Sequence, residues 1–195
     1  MAAIPETKQD VLDALQEVIF AIEKKQYSDL HMISDHVLHS IAIYQDPELV
    51  DLSVAIYAVD KILEKEKYAN HPKVKGFVKN ILGMFKDARN RLQKDDYAEY
   101  SSLLEQILKC IDNFSRSIKF YIDDLLHFAR IKKGTKLYEH GLSLGKAAEL
   151  VGVAKWDLMP AIGETAIHEL QIAPKEVNRR RAAFVEKIFK KKGKK

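Results

Sequence analysis

Cysteine, glycine and proline are all scarce in this chain of 195 residues. Its single cysteine, Cys110, excludes an intrachain disulfide and any zinc site that needs several cysteines of one chain. Cys110 lies in the apolar run LLEQILKCI, where we expect a small buried side chain rather than a reactive thiol. With only eight glycines and five prolines to interrupt it, most of the chain is compatible with helix.

Long apolar runs and targeting signals are also missing. The most apolar stretch, LVDLSVAIYAVDKIL, is interrupted by Asp51 and Asp60 and is shorter than the roughly 18–20 residues that span a bilayer. The start, MAAIPETKQD, has neither the basic residues nor the apolar run of a secretion signal. We therefore expect a cytoplasmic protein that does not bind a membrane.

The motifs of common enzymes are absent. There is no phosphate-binding glycine loop, no serine elbow and no His-Glu-x-x-His. The acidic pairs at 95–96 and 123–124 are adjacent in sequence, so their side chains point in different directions on a helix. We expect no enzymatic activity and no cofactor.

Three residues nevertheless have a spacing that can hold a metal. His31, Asp35 and His39 are four residues apart and share one face of a predicted helix. The two histidines would lie about 12 Å apart along the axis, so one ion could bind only Asp35 and one of them. A hydrogen-bonded polar helix face is the favoured interpretation, and a metal site completed by other helices is the alternative.

Apolar residues recur with helical spacing through most of the chain. They predict an all-α fold with helices over residues 6–25, 28–44, 47–68, 72–93 and 96–132. Asp46-Pro47-Glu48 has the cap, the proline and the acid that are typical of a helix start. We expect these five helices to form an antiparallel bundle over residues 1–132, which serves interaction or dimerisation.

A second domain is predicted over residues 133–195, with the boundary near 130–135. Gly134 is expected to end or kink the fifth helix, and Gly141 to terminate a helix. The segment ETAIHELQI is too short to assign, and a strand is one alternative. A basic helix is predicted over residues 174–189.

Residues 142–162, LSLGKAAELVGVAKWDLMPAI, have the pattern of a helix-turn-helix. Ala148 is the small residue at which two helices can cross, and Gly152 suits a turn with positive φ. Ala147, Val151 and Leu158 are expected to face inward, whereas Lys146 is free to face solvent. Two unrelated short helices are the alternative interpretation.

The segment KLYEHGLSLGKAAELVGVAKWDLMPAIGE, residues 136–164, resembles the core of small prokaryotic antitoxin-like helix-turn-helix proteins. Their pattern is ELY..G.ISLGKAAELAG.S..E followed by an apolar helix. The resemblance implies DNA binding, often as a dimer. Upstream, SDHVLHSIAIYQDPE resembles small archaeal helical proteins of unknown function.

The predicted second helix departs from a typical recognition helix. Its outward residues include Lys155, Trp156, Met159 and Pro160, with no Arg, Asn or Gln for bidentate readout of bases. Trp156 and Met159 are therefore predicted protein contacts. Their burial against the bundle or a partner chain would favour an adaptor function.

The end of the chain is strongly basic. Ten Lys or Arg residues stand against two Glu in residues 171–195. Such a segment is expected to contact phosphates without reading sequence, and RNA is nearly as plausible a target as DNA. The sequence thus predicts a nucleic-acid-binding regulator or antitoxin-like protein, and the alternative is an adaptor that contacts protein and RNA. The residues predicted to contact nucleic acid are Lys146, Lys155, Arg179, Arg180, Arg181, Lys190, Lys191 and Lys192.

Overall fold

The described part of the chain consists of helices joined by short turns, so the predicted all-α fold is confirmed. The computed structural model describes residues 5–64, 68, 70–118 and 124–172. No strand occurs in these ranges, and none of their helices is long and apolar enough to cross a membrane. The helices are α1 (Pro5–Lys24), α2 (Asp29–Tyr44), α3 (Pro47–Glu64), α4 (Val74–Gln93), α5 (Tyr97–Ser117), α6 (Leu125–Glu139), α7 (Leu144–Val151) and α8 (Lys155–Ile172).

Helix α3 is the centre of the packing. It is buried on nearly every side because it contacts α2, α5, α6 and α7. Its start is capped as predicted, since the backbone N–H of Glu48 donates to Asp46 Oδ1 over 2.9 Å. Two buried serines hold α2 close to α3: Ser34 Oγ donates to the carbonyl of Ser53, and Ser53 Oγ donates to that of Ser34.

The prediction of a single long helix over residues 96–132 is wrong. Helix α5 ends at Ser117, and α6 begins at Leu125 with Asp124 as its cap. The Asp124 side chain accepts a hydrogen bond of 2.9 Å from the backbone N–H of His127. A capping carboxylate satisfies one of the free N–H groups at a helix start, which favours a new helix at this point.

The two glycines near the predicted boundary have different roles. Gly141, with φ of +96°, follows the end of α6 as predicted. Gly134 does not end α6 but lies within it, buried. A Cβ at Gly134 would lie 2.8 Å from Leu158 Cδ2 and 3.0 Å from Val151 Cγ2. The absence of a side chain there lets α7 and α8 approach α6.

The contacts divide the chain into two compact units, Met1–Leu158 and Met159–Lys195. The first unit contains α1 to α7 and the first turn of α8. The predicted boundary near 130–135 lies inside α6, which packs in this unit against α2, α3, α5 and α7. In the second unit, residues 159–172 continue α8 past Pro160, so the strand alternative for ETAIHELQI is wrong.

Candidate nucleic-acid interface

Helix α7 and the turn that follows it have the geometry of a helix-turn-helix. The hydroxyl of Ser143 caps α7 by accepting from the backbone N–H of Lys146 over 3.2 Å. Gly152 ends α7 with φ of +67°, and its N–H donates to the carbonyl of Glu149. The N–H of Val153 donates to the carbonyl of Ala148 over 3.1 Å. These two bonds form a Schellman motif, which fixes the direction of the chain after α7.

Small and apolar residues lock the crossing of the two helices. Ala147, Ala148 and Val151 on α7 are buried, and so is Leu158 on α8, all as predicted. The start of α8 is held by one half of a capping box, because Asp157 Oδ2 accepts from the backbone N–H of Ala154 over 3.2 Å. The first turn of α8 therefore has a fixed orientation relative to α7.

An arginine from α6 ties this turn to the centre of the first unit. Arg130 Nη1 donates to the carbonyl of Val151 over 2.9 Å, and Nη2 pairs with Asp51 on α3 over 2.7 Å. The guanidinium thus satisfies a carbonyl at the end of α7 while it contacts the buried central helix. The role of Arg130 was not visible in the sequence, because its two partners lie 79 and 21 residues away.

The predicted contact residues of α8 are exposed. Lys155 is exposed, and its Cε lies 3.2 Å from the position that a Cβ of Gly145 would occupy, so Gly145 leaves room for this side chain to cross α7. Trp156 is 76% exposed in the first unit. In the second unit, Met159 is 58% exposed. Within its own unit, each of these apolar side chains is left uncovered by the described residues.

The other predicted basic contacts have different surroundings. Lys146 is half-buried, and its ammonium pairs with Glu149 on the same helix over 3.2 Å. Its charge is therefore partly neutralised. The predicted residues Arg179, Arg180, Arg181, Lys190, Lys191 and Lys192 lie outside the described part of the chain.

A partly buried ion cluster, which the sequence did not predict, joins α2 to α6. Lys133 is only 1% exposed, and its Nζ lies 2.9 Å from Asp35 Oδ1 and 4.7 Å from the centre of the Tyr57 ring. Lys136 donates to the other oxygen of Asp35. Burial lowers the pKa of Lys133 to about 8, although Asp35 opposes the shift. Partial burial raises the pKa of Asp35, but hydrogen bonds from Lys136 and Lys133 lower it below its ordinary value.

His31 connects this cluster to α3. Its Nδ1 lies 3.4 Å from Asp60 Oδ2, and its Nε2 lies 3.7 Å from Asp35 Oδ2. Burial raises the pKa of Asp60, against the attraction of Lys61 and His31. Two ammonium groups on Asp35 compete with any metal ion for that carboxylate.

His39 instead lies near His140: the centres of the two rings are 6.2 Å apart. Within the described ranges, no three His, Cys, Asp or Glu side chains are grouped so that they could hold a metal ion.

Comparisons with known proteins give no assignment. No protein-family model, no curated protein and no solved structure matches this chain.

Proposed function

We propose that this protein binds nucleic acid without catalysing a reaction, and that it acts in the cytoplasm as a DNA-binding regulator or antitoxin-like protein. The observation that carries the proposal is the tight turn at Gly152, which leaves the start of α8 exposed next to α7. This is the arrangement in which a helix-turn-helix presents its second helix to a major groove. The resemblance of residues 136–164 to antitoxin-like proteins supports the same function.

Affinity in this proposal comes mainly from charge. Lys155 is exposed at the start of α8, and residues 171–195 add ten Lys or Arg. About six phosphate contacts would make the binding constant fall with salt at a logarithmic slope of about −5. Direct reading of bases contributes little, because α8 offers no bidentate donor in its first turn.

Binding to labelled duplex DNA and to single-stranded RNA, measured by fluorescence anisotropy over a series of salt concentrations, tests the proposal. The variant R179A/R180A/R181A should reduce the size of the slope by about 2–3. The control K73A/K75A/K79A removes the same charge from exposed positions at α4, where the slope should not change. Absence of binding to both polymers at low salt, or equal effects of the two variants, would refute the proposal.

A second function, that of an adaptor, depends on a partner chain that covers Trp156, because the described residues of the first unit leave this side chain exposed. A tryptophan exposed to this extent is typical of a protein contact, and the protein would then be an adaptor that uses its basic end to bind RNA. Because Trp156 is the only tryptophan of the chain, its fluorescence reports directly on α8. An emission change on DNA binding supports insertion of α8 into DNA, whereas RNA binding with unchanged emission favours the adaptor.

A further inference from the structure

A shallow groove runs between α1 and α2, in the first unit. Two adjoining depressions of about 350 and 180 Å³ form it, and both are bordered by Glu17 and His36. The Phe20 and Met32 side chains lie at one end and the Ile43 side chain at the other. From Asp10 to Phe20, helix α1 rises about 15 Å, which matches three turns of a helix laid along the groove.

Three large apolar side chains border the groove and are exposed. Phe20, Met32 and Ile43 are 50%, 67% and 60% exposed, and they account for three of the six large apolar side chains exposed in the described part of the chain. Met32 and Ile43 lie on one edge of α2, and Phe20 lies on the edge of α1 across the groove. Side chains with this spacing fit the apolar stripe of an amphipathic helix, and methionine adapts to varied partners.

The charge of the groove selects the kind of helix. Its carboxylates are Asp10, Asp13, Glu17 and Asp29, and no Lys or Arg borders it. In the described residues, Asp10, Asp13 and Asp29 accept hydrogen bonds from neutral Ser40, Gln9 and Ser28, and none of the four carboxylates forms a salt bridge. These negative charges disfavour a phosphate-bearing partner and favour a basic one.

One cation near the groove gives it a direction. The ammonium of Lys24 lies 5.8 Å from the centre of the Phe20 ring, at the end opposite to Asp10 and Asp13. We propose that the α1–α2 groove binds a basic amphipathic helix of another protein, with its apolar stripe on Phe20, Met32 and Ile43. The basic residues of the partner helix lie toward the Asp10 end of the groove, away from Lys24. The residues that line this groove differ from those proposed to contact nucleic acid.

The test uses the full chain and a labelled 14-residue peptide in which leucine and lysine alternate with helical spacing. The same peptide with glutamate in place of lysine is the charge control. The protein should bind the lysine peptide and not the glutamate peptide. The variant D13K/E17K should weaken binding about tenfold, because two attractive charges become repulsive. The control D87K/E139K makes the same charge change at exposed positions outside the groove and should change the affinity less than twofold.

Methyl signals of methionine in the unaltered protein locate the peptide without any substitution. The Met32 signal should shift as the lysine peptide is added, whereas those of Met84 and Met159 should not. Circular dichroism checks that the variants stay helical. No binding of the lysine peptide, equal weakening by both charge-reversed variants, or shifts at Met159 instead of Met32 would each overturn the proposal.

Discussion

Replacing Lys133 by methionine should stabilise the protein, although it removes a salt bridge. Burial lowers the pKa of this amine from 10.5 to about 8, even with Asp35 at 2.9 Å. Since each pKa unit corresponds to about 1.4 kcal/mol, the charge costs about 3 kcal/mol at neutral pH, relative to a neutral amine. Loss of the contact between the ammonium and the Tyr57 ring reduces this gain in stability by about 1 kcal/mol. We expect K133M to raise the free energy of unfolding by about 1–2 kcal/mol.

Removing the other partner should have the opposite effect. The variant D35N leaves the buried Lys133 ammonium without a carboxylate, so we expect a loss of about 3 kcal/mol. In the K133M background the same change should cost less than about 1 kcal/mol, because the remaining partner, Lys136, is partly exposed. A double-mutant cycle from urea denaturation, followed by circular dichroism, measures this coupling.

The pH dependence provides an independent check on the cause. Below pH 8 the amine is protonated in both the folded and the unfolded chain, so its cost is fully present. Between about pH 8 and 10.5 the folded state loses the proton and the unfolded state keeps it, so the stability of the unaltered protein rises relative to K133M. The advantage of K133M should thus fall by about 1.4 kcal/mol per pH unit in this range, so that the unaltered protein becomes the more stable one before pH 10.5. A K133M variant that is less stable at neutral pH, with a difference that does not depend on pH, would refute the reasoning.

Two further substitutions test the packing of the helix-turn-helix. Gly134→Ala should destabilise by about 1 kcal/mol, because its Cβ would lie 2.8 Å from the buried Leu158 side chain. Gly83→Ala, in α4 with nothing within 4 Å of the new Cβ, should instead stabilise by about 0.5–1 kcal/mol. Equal effects in thermal melts would contradict the close approach. Arg130→Met should cost about 1–3 kcal/mol through loss of the Asp51 ion pair and of a bond to a helix-end carbonyl, and an unchanged melting temperature would contradict that role.

The helix-turn-helix was accessible to sequence reasoning because its signals are local. Ala148 and Gly152 lie four residues apart, and both perform the backbone and packing roles that their residue types suggest. The break between α5 and α6 was missed, because apolar residues keep their helical spacing across it. The cap at Asp124 was the signal that could have shown it.

The ion cluster could not be read from the sequence, because its partners are distant. Asp35 suggested a metal ligand through the nearby histidines, yet its actual partners, Lys133 and Lys136, lie about a hundred residues further along the chain. Gly134 was misjudged for a related reason. Its role depends on Leu158, and a glycine inside a helix resembles one that ends a helix until its neighbours are known.

The double contact of Arg130 has a consequence for how the protein would engage a repeated target. A DNA-binding element that is joined to its protein by a flexible linker can accommodate many distances between two target sites. Here the guanidinium joins the end of α7 to the largely buried helix α3 of the same unit. If the proposed function holds and two copies of the chain pair, the separation of their helix-turn-helix elements is therefore set by the surface that joins the copies. That surface would determine the distance between the two target sites that the pair can bind. A change in the surface would alter this distance while leaving each helix-turn-helix intact.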